Sequence, residues 1–290
     1  MIKKGIILAG GMGTRMSPLT KAVNKQLLPI YDKPLIFYPL SILMLANIRD
    51  ILIIVNKGQL SQYKKILPNG KNLGIKIRYL EQDKPRGLPD AFIIGEKFIG
   101  KENVAMILGD NFFYGQNLST KLLENVKLKK GAKIVLHKVQ KPESFGVAKI
   151  NKNNKILSIK EKPKKFFSDL AITGLYFFDN KVINYSKKLK FSKRKELEIV
   201  DLLNFYKNKN ELSADIIGRG GAWLDTGSIS DYYKTSEFVS AIENRQGFKI
   251  ACLEEIALSN RWINKKNILN AISFYGNCNY SEYLRDLLKK

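Results

Sequence analysis

The first thirty residues constrain the fold of this chain more than any other stretch. An apolar run at residues 6–9 is typical of a buried parallel strand, and it leads into the glycine-rich loop Gly10-Gly11-Met12-Gly13-Thr14-Arg15. Because glycine lacks a Cβ, such a loop can bring several backbone N–H groups close to one phosphate, while Arg15 and the more distant Lys25 add positive charge. The pattern predicts a loop that binds nucleotide phosphates.

Two common phosphate loops are excluded by single residues. The dinucleotide-binding fingerprint needs a third glycine three residues after Gly13, and this chain has Met16 there. The P-loop needs Gly-Lys followed by Ser or Thr, whereas Gly-Lys is followed here by Asn72 or Glu102. The simpler alternative is a strand-to-helix turn with a solvated arginine. The extra Gly10, Arg15 and the distant Lys25 favour phosphate binding over it.

The strongly basic composition invites a nucleic-acid interpretation. The chain has 50 Lys and Arg against 26 Asp and Glu, a net charge of +24, and residues 121–195 alone hold 21 basic and five acidic residues. Nucleic-acid binding would predict arginines and aromatic residues interleaved in one motif, but 41 of the 50 basic residues are lysines. We therefore expect a solvated lysine surface that attracts anionic substrates, and no nucleic-acid partner.

Cysteine, histidine and hydropathy patterns exclude further classes. Cys252 and Cys278 are too far apart for a Cys-x-x-Cys site and too few for a disulfide scaffold, which favours a reducing compartment and inert or buried thiols. His137, the one histidine, lies in an apolar stretch and is expected to be structural. The longest uncharged stretch, residues 34–48, is too short to span a membrane, and no signal peptide is evident. We expect a cytoplasmic protein with no membrane contact.

The order of predicted elements indicates an α/β fold. Up to residue 108, strands at 51–55, 75–80 and 104–108 alternate with helices at 35–46, 59–67 and 88–98. Beyond it we predict strands at 133–139, 146–150, 156–160, 171–178, 212–217 and 222–224, and helices at 179–188, 197–208 and 229–244 before a small helical tail. Ligands of a parallel sheet lie beyond the carboxyl ends of its strands, where the glycine loop and Asp110 both fall.

Six motifs occur in an order that resembles the sugar-nucleotide pyrophosphorylases, and within them the thymidylyltransferases. They are Gly10-Gly11-Met12-Gly13-Thr14-Arg15, Lys25-Gln26-Leu27-Leu28-Pro29, Leu108-Gly109-Asp110-Asn111, Gly146-Val147, Glu161-Lys162-Pro163 and Trp223-Leu224-Asp225-Thr226-Gly227. The resemblance covers nearly the whole chain. It implies a Rossmann-like three-layer α/β/α sandwich with a mixed, mostly parallel central sheet. The implied organisation is a core at 1–240, with its nucleotide-binding part at about 1–115 and its sugar-phosphate-binding part at about 116–240, and a helical C-terminal extension at 241–290 for assembly and regulation.

The resemblance also implies a reaction. The phosphate of glucose 1-phosphate would attack the α-phosphorus of dTTP in line and release pyrophosphate, so that catalysis consists of positioning and charge neutralisation. Uridylyl transfer to the same sugar phosphate and a non-catalytic sensor of nucleotide sugars are alternatives. Two departures bear on that choice: Arg86-Gly87-Leu88-Pro89-Asp90-Ala91 stands where the thymidylyltransferases are expected to have Asp-Gly-Leu-Ala-Gln-Ala, and Phe145 stands in place of Tyr.

By the same resemblance, Asp110 and Asp225 are the ligands of Mg²⁺, although either aspartate alone would be a turn residue. Arg15 would stabilise the departing pyrophosphate, Lys25 would bridge the phosphates, and Lys162 would hold the sugar phosphate. Without the motifs, both lysines would be surface charges.

The remaining implied residues fall into three sets. The nucleotide-binding set is Leu8, Gly10, Gly11, Gly13, Thr14, Arg15, Gln82, Gly87, Leu88 and Asp110. The sugar-binding set is Gly109, Phe145, Gly146, Glu161, Lys162, Thr173 and Tyr176. A second site for a feedback inhibitor, with dTDP-rhamnose as the expected dTDP-sugar, would involve Tyr114, Gly115, Arg219 and Glu255 in a homotetramer.

Overall fold

A nine-stranded sheet forms the centre of the protein in a computed structural model that describes residues 1–289. Its strands are β1 (Lys4–Ala9), β4 (Asp50–Asn56), β5 (Lys76–Gln82), β6 (Val104–Leu108), β8 (Ala132–Lys138), β9 (Gly146–Ile150), β10 (Ile156–Glu161), β11 (Leu170–Phe178) and β12 (Leu212–Ile217). Two small pairs lie outside it: β2 (Pro29–Ile30) with β3 (Lys33–Pro34), and β7 (Asn111–Gly115) with β13 (Gly221–Asp225).

The sheet is mixed and mostly parallel, as predicted. The order of neighbours is β10-β9-β11-β6-β1-β4-β5, and β8 joins β11 to β12. β1 is parallel to β4 and β6, and β4 is parallel to β5. β11 is antiparallel to β6, β8 and β9, and β10 is antiparallel to β9. Apart from β10 and β11, the strands of this sheet therefore share one direction, and the ends of β1, β4 and β6 meet at one edge.

Helices cover both faces of the sheet. They are α1 (Phe37–Leu45), α2 (Leu60–Ile66), α3 (Asp90–Ile94), α4 (Glu96–Ile99), α5 (Leu118–Asn125), α6 (Lys181–Lys187), α7 (Ile199–Asn208), α8 (Ile229–Gln246), α9 (Leu253–Ser259), α10 (Lys265–Tyr275) and α11 (Asn279–Leu287).

Side chains of β1 point alternately to the two faces of the sheet, which explains why two buried cores form. Ile7 and Ala9 belong to a buried cluster that includes residues of α1, α2, α5 and α9 to α11. Ile6 and Leu8 belong to a second cluster with α3, α4, α6 and α7. Successive side chains of a strand point to opposite faces, so a wholly apolar strand must be covered on both sides. This arrangement confirms the three-layer sandwich.

Most predicted elements are present, with informative differences. The helix predicted at 88–98 is divided at Gly95 into α3 and α4, consistent with the low helix propensity of glycine. β7 and α5 were not predicted. Each is short: β7 is paired only to β13, and Leu122 and Asn125 are the buried residues of α5.

The C-terminal helices pack on the N-terminal half of the chain. Leu253, Ala257 and Ile268 share a buried cluster with Leu40 and Leu43 of α1. Helix α8 runs through residue 240, so the predicted boundary between core and extension falls inside a helix. Within residues 1–289 no helix combines the length and the apolarity needed to cross a membrane.

Candidate active site

The glycine loop follows β1 at the edge where the parallel strands end. Gly13 has φ +58°, a left-handed conformation that glycine adopts without strain, and its carbonyl accepts a hydrogen bond from Thr20 Oγ1 at 2.8 Å. The one-turn helix Thr14–Met16 follows directly and carries Arg15. The loop is thereby fixed beside the carboxyl end of β6, which Asp110 follows.

Lys25 and Asp110 form the central ion pair of this edge. Lys25 Nζ lies 2.8 Å from Asp110 Oδ2, with the lysine side chain 6% exposed and the aspartate 25% exposed. Asn24 caps the turn that carries Lys25: its Oδ1 accepts hydrogen bonds from Gln26 N at 2.9 Å and from the Tyr63 hydroxyl at 2.7 Å. Burial raises the pKa of Asp110, but the Lys25 charge and hydrogen bonds from Lys25 and Asn111 outweigh it and hold that pKa below its usual value.

Asp225 lies beside Asp110, although the two residues are far apart in the sequence. β13 pairs with β7 so that Asp225 is opposite Asn111, and Thr226 donates to the Asp110 carbonyl from N at 3.1 Å and from Oγ1 at 2.8 Å. A Cβ added to Gly227 would lie 2.9 Å from both Asp225 Oδ2 and Arg15 Nη2. Burial, and then the charge of Asp110, raise the pKa of Asp225, while Lys25 and Arg15 partly oppose the rise.

These two carboxylates are the described groups best placed to hold a cation. Within residues 1–289 there is no cluster of three or more His, Cys, Asp or Glu side chains that could bind a metal by themselves. Two carboxylates suit a hard divalent cation that takes its other oxygen ligands from substrate phosphates and water. The mutual repulsion that raises the pKa of Asp225 would be relieved by such a cation.

A cavity of about 350 Å³ lies over this edge, within the size range of small-molecule sites. Among the predicted residues it is lined by Leu8, Gly10, Arg15, Gln82, Gly87, Leu88, Asp110, Phe145, Glu161, Lys162, Tyr176 and Asp225. Nucleotide-binding, sugar-binding and metal-binding predictions therefore meet in one cavity.

One end of the cavity is built on the glycine loop. Gln82 is buried at the end of β5, and its Nε2 donates to the Gly10 carbonyl at 2.9 Å and to Asn56 Oδ1 at 3.1 Å. Gly87 has φ +101°, and a Cβ there would lie 2.1 Å from the Leu197 carbonyl oxygen. The backbone around Gly87 can approach residues 192–198 this closely only because it carries no side chain.

The other end is formed by the antiparallel strands. Glu161 is paired in register with Gly146, and its Oε2 would lie 3.0 Å from a Cβ at that glycine. Lys162 follows with φ +41°, and its N–H donates to the Phe145 carbonyl at 3.0 Å. Burial raises the pKa of Glu161, although Lys162 and Arg194 partly offset it. Phe145 packs on Trp223 with ring centroids 5.1 Å apart.

Some predicted residues lie outside this cavity. Gly11, Thr14 and Lys25 line an adjoining depression of about 420 Å³ on the other side of the glycine loop. Gly13, Gly109 and Gly146 contribute backbone at the edge of the sheet. Thr173 is fully buried, and its Oγ1 donates to the Val135 carbonyl at 2.9 Å, so its hydroxyl is already engaged inside the protein.

Arg194 lines the cavity and was not predicted. It donates to both oxygens of Glu198, at 3.2 Å from Nε and 2.7 Å from Nη2, and its Nη2 lies 3.5 Å from Glu161 Oε1. A glutamate four residues after an arginine was the one available signal, but Arg194 lies in a lysine-rich loop.

Asn111 and Trp223, present in the motifs without an assigned role, also line the cavity, and Asn111 Oδ1 accepts from Trp223 Nε1 at 2.6 Å.

The residues predicted for a second site divide between two places. Tyr114, Gly115 and Glu255 line a separate cavity of about 360 Å³ between β7, α1 and α9. Glu255 Oε2 accepts from the Tyr283 hydroxyl at 2.8 Å. Arg219 is outside that cavity, in the exposed turn between β12 and β13.

Comparison with known proteins identifies relatives along the whole chain. A family model described as nucleotidyl transferase matches residues 4–242. Glucose-1-phosphate thymidylyltransferase of Neisseria meningitidis serogroup A is 48% identical over 287 residues, covering 99% of this chain and 100% of the relative. The Mycobacterium tuberculosis protein of the same name is 42% identical and covers 99% of both chains.

Two solved structures are also similar to this protein in sequence and in fold. A Bacillus anthracis protein provisionally named glucose-1-phosphate thymidylyltransferase, solved in complex with sucrose, has 40% sequence identity and a TM-score of 0.75, covering 81% of this chain and 94% of that one. A UDP-glucose pyrophosphorylase in complex with UDP-glucose has 26% identity and a TM-score of 0.73, covering 85% of this chain and all of the other. These matches confirm the resemblance inferred from the motifs.

Proposed function

The chain belongs to the nucleotidyl transferase family, and on that premise we propose that it transfers a thymidylyl group from dTTP to α-D-glucose 1-phosphate, yielding dTDP-glucose and pyrophosphate. An oxygen of the sugar phosphate forms a bond to the α-phosphorus, and the bond from that phosphorus to the β-phosphate oxygen breaks. No enzyme nucleophile is needed, so the protein contributes position and charge.

The observation that carries this proposal is the arrangement of the 350 Å³ cavity. Gln82 ends β5 and Glu161 ends β10, the two strands at opposite ends of the order β10-β9-β11-β6-β1-β4-β5, and both line the cavity with Asp110 and Asp225. β1 and β6, which lead into the glycine loop and Asp110, lie between them. A base, a phosphate chain and a sugar need these three environments in this order. A site for a nucleotide alone would not need the carboxylate of Glu161 opposite the base.

The basic residues have separate tasks in this reaction. Arg15, beside the glycine loop, stabilises the charge that develops on pyrophosphate as it leaves. Lys162 holds the phosphate of the sugar substrate in line with the α-phosphorus. Lys25 is bonded to Asp110 and can exchange that carboxylate for a phosphate oxygen. Glu161 accepts hydrogen bonds from sugar hydroxyls.

We also propose that Asp110 and Asp225 hold Mg²⁺ when the nucleotide is bound. The donor set of two carboxylates fits a cation that completes its coordination with phosphate oxygens. When bound, Mg²⁺ would withdraw charge from the reacting phosphates. Lys25 and Arg15 remain the protein's own positive groups at this place.

Pyrophosphate release tests the proposal directly. The purified protein should release pyrophosphate fastest with dTTP and glucose 1-phosphate, when dTTP, UTP, CTP and ATP are each offered with several sugar 1-phosphates in the presence of Mg²⁺. EDTA should stop the reaction and added Mg²⁺ should restore it. No release with any pair, while dTTP still binds, would support a nucleotide-sugar sensor instead.

Uridylyl transfer is the second candidate. It is favoured by the likeness to UDP-glucose pyrophosphorylase and by the departure from the thymidylyltransferase pattern at residues 86–91. Thymine and uracil differ by one methyl group, which supports only about 10- to 200-fold discrimination. A higher kcat/KM for UTP than for dTTP would establish it.

For assembly and regulation we propose a homotetramer in which the cavity beside Tyr114, Gly115 and Glu255 binds a dTDP-sugar inhibitor such as dTDP-rhamnose. This cavity lies against the C-terminal extension and away from the substrate cavity, which suits an inhibitor that does not compete for the same space. Light scattering should give four subunits, and inhibition by dTDP-rhamnose should persist at saturating dTTP. A monomer, or purely competitive inhibition, would contradict this part.

A further inference from the structure

Asn56 links the glycine loop to Gln82, at the end of the cavity where the base would lie in the proposed reaction. Its Nδ2 donates to the Gly11 carbonyl at 3.2 Å, and its Oδ1 accepts from Gln82 Nε2 at 3.1 Å. Gln82 Nε2 also donates to the Gly10 carbonyl at 2.9 Å. A continuous chain of hydrogen bonds therefore runs from Gly11 through Asn56 and Gln82 to Gly10.

Backbone carbonyls at both ends determine how the two amides are oriented. A carbonyl oxygen can only accept, so the group of Asn56 that faces Gly11 must be its NH₂. The oxygen of Asn56 then faces Gln82, and Gln82 must turn its own NH₂ towards Asn56 and Gly10. Reversing the Gln82 amide would place its oxygen against two other acceptors.

This orientation determines what Gln82 offers to a ligand. Both hydrogens of its NH₂ group are engaged, and no described group donates to its Oε1. Gln82 lines the cavity, so it presents an acceptor there. Gly87 and Leu88 also line this cavity, and their backbone N–H groups have no described acceptor. The same cavity therefore combines one free side-chain acceptor with unpaired backbone donors.

Pyrimidine bases differ in whether they match this pattern. Thymine and uracil carry an N–H donor at N3 between two carbonyl oxygens. Cytosine has an acceptor at N3 and an amino donor beside it. With Gln82 held in this orientation, cytosine would place acceptor against acceptor and donor against donor, which leaves buried polar groups unpaired.

We propose that Asn56 is a positioning residue that fixes the Gln82 amide, so that the site selects pyrimidines with an N–H at N3 and rejects cytosine. The inference rests on the proposed function for the identity of the ligand. Asn56 acts through Gln82, without itself needing to touch the base. The same chain joins base selection to the loop that binds the phosphates.

Two substitutions at position 56 separate positioning from simple structural support. Asn56→Ala removes the acceptor for Gln82, and we expect the dTTP to dCTP ratio of kcat/KM to fall about tenfold, mainly through a higher KM for dTTP and a lower KM for dCTP. Asn56→Asp retains an acceptor for Gln82 but cannot donate to Gly11. It should lower kcat/KM with both nucleotides because it adds negative charge near the phosphates, yet keep the ratio close to that of the wild type.

The ratio of dTTP to dUTP is the internal control, because both bases carry an N–H at N3 and neither variant should change it. Asn103→Ala is a matched protein control: Asn103 donates to the Leu128 and Lys129 carbonyls, well away from the cavity, and its loss should leave both ratios unchanged. The inference would be overturned if Asn56→Ala lowered kcat/KM for dTTP and for dCTP by the same factor. It would also be overturned if Asn56→Asp lost the preference for dTTP over dCTP.

Equilibrium binding of dTTP and dCTP distinguishes this inference from the proposed function. If the wild-type protein prefers dTTP in binding and Asn56→Ala loses that preference, but neither protein releases pyrophosphate, the proposed transfer reaction fails and the role of Asn56 stands. If it binds the two nucleotides equally, the role of Asn56 fails whatever the turnover.

Discussion

The ammonium group of Lys25 lies 2.8 Å from Oδ2 of Asp110, in a site where Asp225 is the other nearby carboxylate. Lys25 is bonded to Asp110 and holds its pKa low. Burial and then the charge of Asp110 raise the pKa of Asp225, and the charges of Lys25 and Arg15 oppose that rise only in part. A further positive charge beside Asp225 would favour its ionised form.

Asp110→Asn should abolish detectable pyrophosphate release. The amide keeps the size of the side chain but removes the negative charge of the proposed cation ligand, which is also the charged partner of Lys25, whose side chain is 6% exposed. Because that lysine loses its charged partner, the free energy of unfolding should also fall, by about 1–3 kcal/mol. Steady-state assays and urea denaturation measure the two effects.

Asp215→Asn is the matched control for that variant. Lys121 Nζ lies 2.8 Å from Asp215 Oδ1, the same distance as in the central pair, but outside the cavity. Its removal should leave turnover unchanged. Normal turnover in Asp110→Asn, or an equal loss in Asp215→Asn, would refute the assignment of Asp110 to the reaction.

Binding of dTDP-glucose should weaken as the pH falls through the raised pKa of Glu161. Burial makes this carboxyl harder to ionise, so its protonated form appears at a higher pH than for an ordinary glutamate. In the proposed site, the ionised form would accept two hydrogen bonds from sugar hydroxyls, and protonation would remove one acceptor. Affinity for dTDP-glucose should therefore be highest at pH values above the raised pKa of Glu161 and decline at lower pH. The diester phosphates of dTDP-glucose do not titrate in this range.

Titration calorimetry of Glu161→Gln across the same pH range provides the comparison. The variant should bind dTDP-glucose roughly 10- to 100-fold more weakly at neutral pH, with a flatter pH dependence. Glu143→Gln, an exposed neighbour, should keep the wild-type profile. Parallel pH profiles in wild type and Glu161→Gln would show that another group controls binding.

Arg194→Gln should raise the KM for glucose 1-phosphate about tenfold and leave the KM for dTTP unchanged. Arg194 contacts Glu161 and Glu198, and it lines the cavity together with Lys162, the residue proposed to hold the sugar phosphate. Since its side chain is 46% exposed, the pair with Glu198 adds little to stability, and the melting temperature should change by a degree or two at most.

Lys193→Gln, the adjacent exposed cation, serves as the control for lost net charge. It should leave both KM values at wild-type levels in the same initial-rate assays. If Lys193→Gln raises the KM for glucose 1-phosphate as much as Arg194→Gln does, general attraction of anions by the basic surface explains the effect better than a specific contact.

The strand-end residues of the site could be predicted from the sequence, and the reasons are local. Asp110 comes soon after the apolar strand β6, and the ends of the parallel strands β1 and β6 meet at one edge of the sheet. Asp225 ends β13, which pairs antiparallel with β7 outside that sheet, so its place beside Asp110 followed from the motif resemblance and not from strand direction. The side-chain direction of Thr173 could not be predicted in this way. The pairing of β11 with β8 shifts in register between Ile172 and Tyr176, so alternation along the strand does not determine which face Thr173 points to.

The position of Arg194 beside the cavity could not be predicted without knowledge of tertiary contacts. Its loop is held beside the cavity by the hydrogen bond from Leu197 N to the Arg86 carbonyl at 2.7 Å and by the close approach of Gly87. Those two segments are more than a hundred positions apart in the chain. Neither has a periodic pattern that indicates the other, and one arginine among many lysines carries no signal by itself.

A buried network joins the β2–β3 hairpin to the C-terminal extension, and Glu243→Gln should destabilise the protein by about 3 kcal/mol. Glu243 accepts from Lys33 Nζ at 2.8 Å and from Ile250 N at 2.8 Å, and Lys249 lies 3.4 Å from its other oxygen. Asp32 pairs with both lysines. Removing the charge of Glu243 leaves two lysines facing one aspartate, with the Lys33 side chain only 2% exposed.

The double variant Lys33→Met/Glu243→Gln tests whether charge imbalance is the cause. It removes one cation and one anion, keeps the pair of Lys249 with Asp32, and leaves an amide oxygen to accept from Ile250 N. Its urea midpoint should therefore lie closer to that of the wild type than the midpoint of Glu243→Gln does. Glu237→Gln, an exposed residue on the same helix α8, should change nothing measurable. If the double variant is less stable than the single one, the network contributes through packing of the lysine stem rather than through charge balance.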